Sequence, residues 1–358
     1  MTIASPSPVL VREAAEVPVA TRGRVVVIGN MDGVHRGHQV VLDRARALST
    51  LEGRGGRGSE VAVLTFEPHP AAALGRVPPA VLTRLSRKVS LLGNHGVSLV
   101  LAQAFDRAFA SLGAEAFVDE ILVRALGASY VVVGEGFRFG AGRAGDLALL
   151  RAQAARNDFE VVVQDLVVDA NGPLSSTRVR SAVGLGDMQR AHELLGRPHA
   201  IEGVVVSGDR RGRTIGFPTA NLAQIQEALP AHGVYAVVCD RAQQVSTPSS
   251  HSSQLASPFA AFARGVANFG VRPTVADKNA PATVEVHLFD LPADERDLYG
   301  QVLRVHLVDR IRPEAHFSSL DALRAQIEAD AARARQITDA LPMPRSSGWW
   351  DSSRENED

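Results

Sequence analysis

Short runs of β-branched residues alternate with helical patterns through the first half of the chain. The runs that predict buried strands lie at residues 25–28, 61–66, 98–101 and 130–133. The amphipathic patterns that predict helices lie at residues 40–51, 85–92 and 114–126. Strands that alternate with helices indicate an α/β domain, with a parallel sheet covered by helices on both faces.

The pattern changes after about residue 197, where helical patterns become scarce and short strands recur between turns. The strands predicted there lie at residues 201–206, 234–239, 284–288 and 302–308. Their spacing favours an antiparallel barrel or sandwich, and residues 320–337 then predict one amphipathic helix.

These patterns predict two domains, at residues 1–196 and 197–340, divided near a Gly-Arg-Pro sequence. Residues 243–258 are rich in Ser, Gln and Pro and predict a mobile insertion in a barrel loop. The polar tail at residues 341–358 is expected to be disordered.

Composition narrows the class of protein. The chain has 358 residues, 45% hydrophobic and 22% charged, and its net charge is -1. This balance suits a soluble globular protein and gives no sign of general nucleic-acid binding or of a polybasic membrane contact. The single cysteine, Cys239, excludes an internal disulfide and predicts a buried core thiol. We find no signal-peptide pattern and no apolar run of about twenty residues, so we expect a cytoplasmic location.

Residues 29–38 join a predicted strand to a predicted helix and contain glycines and two histidines. A helix N-terminus at the end of a parallel strand suits phosphate, and Gly33 and Gly37 allow close approach of the backbone. His35 and His38 share one helical face and could stabilise charge on a phosphorus under attack. This pattern indicates nucleotidyl transfer. The alternatives are a chance surface pair, or a metal site whose third ligand the sequence does not identify.

Further polar groups follow other predicted strands. His69 could reach the same cleft, or it could serve only as a cap or turn residue. Residues 175–180 supply hydroxyl groups and two arginines that suit phosphates, and the alternative is a helix cap followed by solvated arginines.

A second candidate site lies in the predicted barrel. Residues 208–216 alternate glycine with arginine, which suits a nucleotide phosphate. Thr219 and Asn221, two apart on an extended segment, offer oxygen ligands for Mg²⁺. Glu285 and His287 share one face of a strand whose other face is apolar, and Glu285 could accept a proton from a hydroxyl. The alternative is a solvated strand face.

Four segments in the first half resemble bacterial bifunctional riboflavin kinase/FAD synthetases, at residues 29–38, 65–70, 134–140 and 175–180. The resemblance implies a Rossmann-like nucleotidyltransferase domain in which His35 and His38 are catalytic. The ATP-binding residues that it implies are Gly29, Asp32, Gly33, Gly37, His69, Ser175, Ser176, Thr177 and Arg178.

Segments of the second half resemble riboflavin kinase domains and occur in the same order, at residues 216–222, 233–235, 268–274, 285–287, 297–300 and 310–314. The resemblance implies a Greek-key barrel with a terminal helix, with Thr219 and Asn221 holding Mg²⁺-ATP and Glu285 as the catalytic base. The ATP- or flavin-binding residues that it implies are Gly208, Arg213, Gly216, Pro218, Asn268, Arg272 and Thr274.

The function implied by both resemblances is phosphorylation of riboflavin to FMN, then adenylation of FMN to FAD with release of pyrophosphate. Riboflavin, FMN, FAD and ATP are then the partners, with Mg²⁺ as cofactor, and the oligomeric state stays open. This chain departs from the family's usual pattern at two positions. The family usually has an aromatic residue at the position of Met31 and Asn or Asp at the position of Gly136. Gly136 motivates an alternative, a riboflavin kinase with a weakened or inactive adenylyltransferase domain. A third hypothesis is a non-enzymatic flavin sensor.

Overall fold

The chain forms two compact units in a computed structural model. The described residues are 8–18, 23–51, 59–208, 216–243, 259–271, 282–344 and 348–350. The first unit comprises Met1–Pro79 and Leu85–Ser175, and the second comprises Ala80–Arg84 and Ser176–Asp358.

The first unit is built on a parallel sheet, which confirms the prediction for this half. Its six strands within the described residues are β1 (Val9–Val11), β2 (Arg24–Ile28), β3 (Val61–Phe66), β4 (Leu99–Gln103), β5 (Ala128–Gly134) and β6 (Glu160–Gln164). They lie in the order β1-β4-β3-β2-β5-β6, and all neighbours are parallel. Strand β2 is buried along its whole length, as its run of Val and Ile predicts.

Helices follow most strands of this unit. They are α1 (Arg36–Ser49), α2 (Pro70–Ala73), α3 (Leu85–Asn94), α4 (Arg107–Ala110), α5 (Ala114–Ala116, continued as a π-helix over Phe117–Ala125) and α6 (Leu147–Asn157). A two-stranded hairpin, β7 (Val168–Asp169) with β8 (Gly172–Pro173), precedes the end of the unit.

The second unit is a closed antiparallel barrel, which decides between the barrel and the sandwich. Its strands within the described residues are β9 (His199–Val206), β10 (Ala220–Ala223), β11 (Gly233–Ala242), β12 (Phe259–Val271), β13 (Ala282–Leu288) and β14 (Val302–Pro313). Their order around the barrel is β10-β13-β12-β11-β14-β9. Helices α7 (Ser176–Leu185), α8 (Met188–Leu195) and α9 (Leu320–Thr338) belong to the same unit.

The division between the units differs from the boundary expected at residue 196. Helix α8 packs on β9 and β14 through its apolar stripe, so residues 176–195 lie with the barrel. Ala80–Arg84 also lies with the barrel, where Val81 forms a parallel bridge with Glu227. Hydrophobic patterning reveals neither placement, because it does not show which neighbour an element packs against.

A buried network of charges joins the Ala80–Arg84 segment to β9 and β14 of the barrel. Arg84 donates to both carboxylate oxygens of Glu227, at 2.6 and 3.0 Å, and to the backbone carbonyl of Glu202 at 2.6 Å. Arg304 donates to the carboxylate of Glu202 at 2.9 Å. Because Glu202 and Glu227 are both buried, their negative charges would be costly without the positive charges of these arginines.

We expect Arg84→Met to destabilise the second unit by roughly 3 kcal/mol at neutral pH, because it leaves Glu227 charged and buried. Burial acts to raise the pKa of Glu227, but the hydrogen bond and charge of Arg84 more than offset it and lower that pKa. In the wild type this stabilisation is therefore present above the ordinary glutamate pKa and is lost as pH falls through the lowered value.

In Arg84→Met the raising effect of burial is opposed only by backbone hydrogen bonds, so the pKa of Glu227 rises above its wild-type value and protonation relieves the buried charge. The difference in melting temperature between wild type and variant should therefore narrow as the pH falls from about 7 to about 4. The matched control is the double variant Arg84→Met/Glu227→Gln, which should recover part of the stability at neutral pH. A constant difference across this pH range would contradict the prediction.

Residues 348–350 of the tail, which was expected to be disordered, pack against the barrel. Trp349 is 2% exposed, and its backbone N–H donates to Asp240 at 2.7 Å. The ring of Trp350 lies 5.2 Å from that of His306, which itself contacts Asp240 at 2.9 Å. A buried carboxylate on β11 therefore captures this segment, and a polar flanking composition gives no sign of that contact. The predicted insertion at 243–258 falls almost wholly outside the described residues.

Candidate active sites

The first candidate site lies where the strand order of the parallel sheet reverses. Strand β2 sits between β3 and β5, and the chain proceeds outward from it in both directions. In open parallel sheets, ligands bind beyond the carboxyl ends of the strands at such a switch point. Residues 29–35 follow β2 and residues 135–140 follow β5, so both predicted loops flank this position.

The turn after β2 is held in an unusual backbone conformation. Gly33 has a φ of 85°, which glycine adopts easily, but Met31 and Val34 have φ values of 49° and 39°. Both side chains are buried, at 3% and 0% exposure, and this packing opposes relaxation of the turn. Such conformations are common at functional sites. The sequence suggested special geometry only at the glycines.

The two histidines are brought together at the start of α1. His35 caps the helix, its Nδ1 accepting from the backbone N–H of His38 at 3.4 Å. The two imidazole rings stack with centroids 3.7 Å apart and an angle of 20° between their planes. A Cβ atom on Gly37 would lie 3.0 Å from Cε1 and 3.1 Å from Nδ1 of His35. The glycine therefore makes room for the buried His35 ring.

For the FAD formation that the resemblance implies, we expect Gly37→Ala to slow the reaction about 10-fold, because His35 must move by a few tenths of an ångström. Alanine favours a helix by about 1 kcal/mol over glycine, so the melting temperature should not fall. Initial rates of FAD formation from FMN, with a thermal melt, test this. The control is Gly184→Ala, since a Cβ atom at Gly184 meets no atom within 4 Å. An unchanged rate in Gly37→Ala would refute the assigned role of Gly37.

His69 belongs to the same end of the sheet. Its Nδ1 accepts from the backbone N–H of Ala71 at 3.1 Å, which caps α2, so the predicted capping role is present. Its Nε2 lies 3.3 Å from the side-chain nitrogen of Asn30, whose backbone carbonyl accepts from Thr65 at 3.0 Å. Asn30 therefore joins the loop after β2 to the loop after β3, which the sequence did not single out.

A buried lysine adds positive charge near this turn. Lys88, on α3, is 5% exposed. Burial lowers its pKa, while the charges of Asp32 and Glu67 act to raise it. Asp32 is itself buried, so Lys88 helps to balance its charge. Lys88 was missed because it appeared only as one residue of a predicted amphipathic helix.

The remaining predicted residues of the first site are divided between the two units. A Cβ atom on Gly136 would meet no atom within 4 Å, so a larger residue would fit there. Ser175 is the last residue of the first unit, whereas Ser176, Thr177 and Arg178 begin α7 in the second. Arg180 donates to the backbone carbonyl of Ala80 at 2.6 Å. A phosphate-binding role for residues 175–178 stays a prediction.

The second candidate site lies on the outer face of the barrel. On β13, Val284 and Val286 are buried in the core, whereas Glu285 and His287 face outward, as predicted. Glu285 pairs across the sheet with Asn221 on β10 and with Asn268 on β12. Side chains directly opposite one another on neighbouring strands share a face, so these three polar groups form one row.

Two cavities share lining residues next to this row. The first, of about 330 Å³, is lined by Glu285, Asn268 and Thr219 from the barrel and by Leu323 and Ile327 from α9. The second, of about 580 Å³, is lined by residues that include Gly216, Pro218 and Tyr299. Thr219 and His287 line both cavities. Their sizes suit small organic ligands.

An ion pair between β14 and α9 forms part of the lining of the first cavity. Arg312 donates through Nε and a terminal nitrogen to the buried carboxylate of Asp330, at 2.8 to 3.0 Å. Gln326 donates to the same carboxylate at 2.9 Å. This geometry holds the terminal helix against the barrel beside Glu285.

Glycines shape the kinase-like segments. A Cβ atom on Gly208 would overlap the amide group of Asn221, so glycine is required for that side chain to lie where it does. Gly216 has a φ of 88°, which allows the chain to turn before Phe217. The predicted site residues Arg213, Arg272 and Thr274 lie outside the described residues.

Within the described residues, no group of three or more His, Cys, Asp or Glu side chains is placed to hold a metal ion. The metal alternative for His35 and His38 therefore finds no third ligand of these types there. None of the helices in the described ranges has the length and apolar character needed to cross a bilayer.

Known protein families match both units. The FAD synthetase family matches residues 17–178, and the riboflavin kinase family matches residues 195–338. A structure described as a macrolide-efflux protein from Streptococcus pneumoniae has a TM-score of 0.76 and 30% identity, and the match covers 92% of this chain and 99% of that one.

Two curated relatives carry the same description, bifunctional riboflavin kinase/FMN adenylyltransferase. The relative from Escherichia coli strain K12 is 41% identical over 316 residues, 88% of this chain and 93% of its own. The relative from Pseudomonas fluorescens is 38% identical over 328 residues, 92% of this chain and 97% of its own. The chain therefore belongs to the family of bifunctional riboflavin kinase/FMN adenylyltransferases.

Proposed function

We propose that this protein phosphorylates riboflavin to FMN and then adenylates FMN to FAD, at separate sites in its two units. The main support for the proposal is a group of polar side chains in each unit that suits one of the two reactions. One group is the stacked histidine pair beside the switch point of the sheet. The other is the Glu285 row, next to Thr219 and His287, which line both cavities.

In the kinase step, Glu285 accepts the proton of the riboflavin 5′-hydroxyl as that oxygen attacks the γ-phosphorus of ATP. The first cavity holds the flavin, because it combines Glu285 with apolar side chains of the barrel and of α9. ATP occupies the second cavity, with its γ-phosphate at the residues that line both cavities. Thr219 is one of these residues and can touch both ligands.

Mg²⁺ fits the donors beside the γ-phosphate. Thr219 and Asn221 offer neutral oxygen atoms, which Mg²⁺ accepts when nucleotide phosphates and water supply its other ligands. Asn221 lies opposite Glu285, and its amide group occupies the space that a Cβ atom at Gly208 would fill. When bound, the ion neutralises charge on the phosphates of ATP. The residues that would hold it are Thr219 and Asn221.

In the adenylation step, an FMN phosphate oxygen attacks the α-phosphorus of a second ATP, and pyrophosphate leaves. His35 and His38 donate hydrogen bonds to the charge that develops on the α-phosphate oxygens. The N-terminus of α1 and the glycines Gly29, Gly33 and Gly37 receive the phosphates through the backbone. No protein nucleophile is needed, because the chemistry depends on position and electrostatics.

The direct test is to incubate the purified chain with riboflavin, ATP and Mg²⁺, and separately with FMN, ATP and Mg²⁺, and to separate the products by chromatography. We expect FMN and ADP, then FAD and pyrophosphate. Formation of FMN without FAD would favour the alternative of an inactive adenylyltransferase domain. Formation of neither would favour a flavin sensor. A cytoplasmic location is part of the proposal and can be tested by cell fractionation.

A further inference from the structure

We propose that His287 is a positioning residue of the kinase site, which fixes Thr219 beside Glu285 by holding the backbone of Pro218. The inference rests on the proposed kinase function. No role in the site was predicted from the sequence for the side chain of His287.

The backbone ladder cannot hold this segment. Antiparallel pairing of β10 with β13 ends at Ala220 opposite Val286. The next two positions in that register would place Thr219 opposite His287 and Pro218 opposite Leu288. Proline has no backbone N–H, so the ladder loses a donor at this point. Residues 217–219 therefore need another anchor to stay on the strand.

The side chain of His287 supplies that anchor. Its Nδ1 lies 2.8 Å from the backbone carbonyl oxygen of Pro218. Since a carbonyl only accepts hydrogen bonds, Nδ1 must be the donor. Nδ1 carries a proton both in this neutral tautomer and in the imidazolium ion, so the bond does not depend on the charge of the ring.

Two aromatic rings fix the plane of this imidazole. Phe217 and Phe289 each meet it at 70°, with ring centroids 5.3 and 5.7 Å away. Edge-to-face contacts of this kind restrict the rotamer of the ring. His287 therefore presents Nδ1 to Pro218 in one defined direction.

The anchored segment is the part of the site that both ligands meet. Thr219 and His287 line both cavities, and Glu285 is two residues before His287 on the same face of β13. If residues 217–219 moved away from β13, Thr219 would separate from Glu285, and the phosphate would be displaced from the hydroxyl. A displacement near 1 Å in such a reaction lowers the rate about a hundredfold.

Two substitutions separate the hydrogen bond from the ring. His287→Phe keeps an aromatic ring between Phe217 and Phe289 but has no donor. His287→Asn has an amide nitrogen on Cγ, where Nδ1 is attached in histidine, and so can donate to Pro218. We expect His287→Phe to lower kcat/KM for riboflavin phosphorylation about 30-fold, with a raised KM for ATP in the presence of Mg²⁺. His287→Asn should stay within about 3-fold of wild type.

The pH profile distinguishes positioning from proton transfer. Because the bond to Pro218 does not depend on the charge of His287, His287→Asn should keep the wild-type profile between about pH 6 and 8. Formation of FAD from FMN should be unchanged in both variants, because that reaction belongs to the other unit. A thermal melt shows whether the barrel of each variant is folded, and if His287→Phe is unfolded, His287→Leu replaces it as the donor-free variant.

Three outcomes would overturn the proposal. Wild-type kinase activity in the donor-free variant would show that the bond is not needed. An equal loss in His287→Asn and His287→Phe, or loss of one limb of the pH profile in His287→Asn, would indicate a proton-transfer or charge role instead. Failure of the wild type to form FMN would refute the proposed function itself, and it is measured first.

Discussion

Glu285→Gln is expected to lower kcat for riboflavin phosphorylation about 1,000-fold while FMN is still converted to FAD at the wild-type rate. Glutamine has the same shape as glutamate and retains an oxygen acceptor, so it can keep its place between Asn221 and Asn268. It cannot take up the proton of the attacking hydroxyl. The variant therefore removes the base and leaves the cavity in place.

Chromatography of the products from riboflavin and from FMN, in separate reactions, measures the two activities independently. The matched control is Glu328→Gln, the same substitution on α9, where Glu328 is exposed and pairs with Arg324 at 3.3 Å. It should change neither activity by more than about 2-fold, since exposed pairs contribute little. Equal loss of both activities in Glu285→Gln would contradict separate sites. Retention of both would remove Glu285 as the base.

Local sequence patterns predicted much of both sites. A run of Val and Ile specified β2, and the glycines and histidines after it marked the turn and the start of α1. Alternation on β13 predicted that Glu285 and His287 face away from the core, which the burial of Val284 and Val286 confirms. Such predictions succeed because the side-chain period of a strand or helix is fixed by its backbone.

Contacts between distant parts of the chain could not be predicted in this way. Nothing in Ala80–Arg84 shows that it joins the barrel, because the contact depends on Glu227, 143 residues from Arg84. The burial of Trp349 likewise depends on Asp240, 109 residues away. Asn30 and Lys88 were missed for the same reason, since their partners lie on other loops.

The conformation of the turn after β2 also could not be predicted from the sequence. Val34 is β-branched, and a φ of 39° is unfavourable for it. Only tertiary packing, which leaves Val34 fully buried, explains why the backbone holds that conformation. The result is a rigid approach to α1, which sets the two histidines before any ligand binds.

His38→Ala is expected to lower the rate of FAD formation from FMN about 100- to 1,000-fold and to leave FMN formation from riboflavin unchanged. This is the typical effect of losing one hydrogen-bond donor to a transition-state charge. His38 is the better test of the pair, because His35 is buried and caps α1, so its loss would also disturb the turn. Alanine is compatible with the helix at residue 38.

The matched control is His95→Ala in the same unit, where His95 lies 3.9 Å from Asp43 and outside the proposed site. It should leave both activities within about 2-fold of wild type. If His38→Ala formed FAD at the control rate, the stacked pair would have no part in adenylation. If FMN formation fell as well, the two reactions would not be independent. The expected pattern, opposite to that of Glu285→Gln, requires that each unit carries its own chemistry, because a shared site would lose both reactions in both variants.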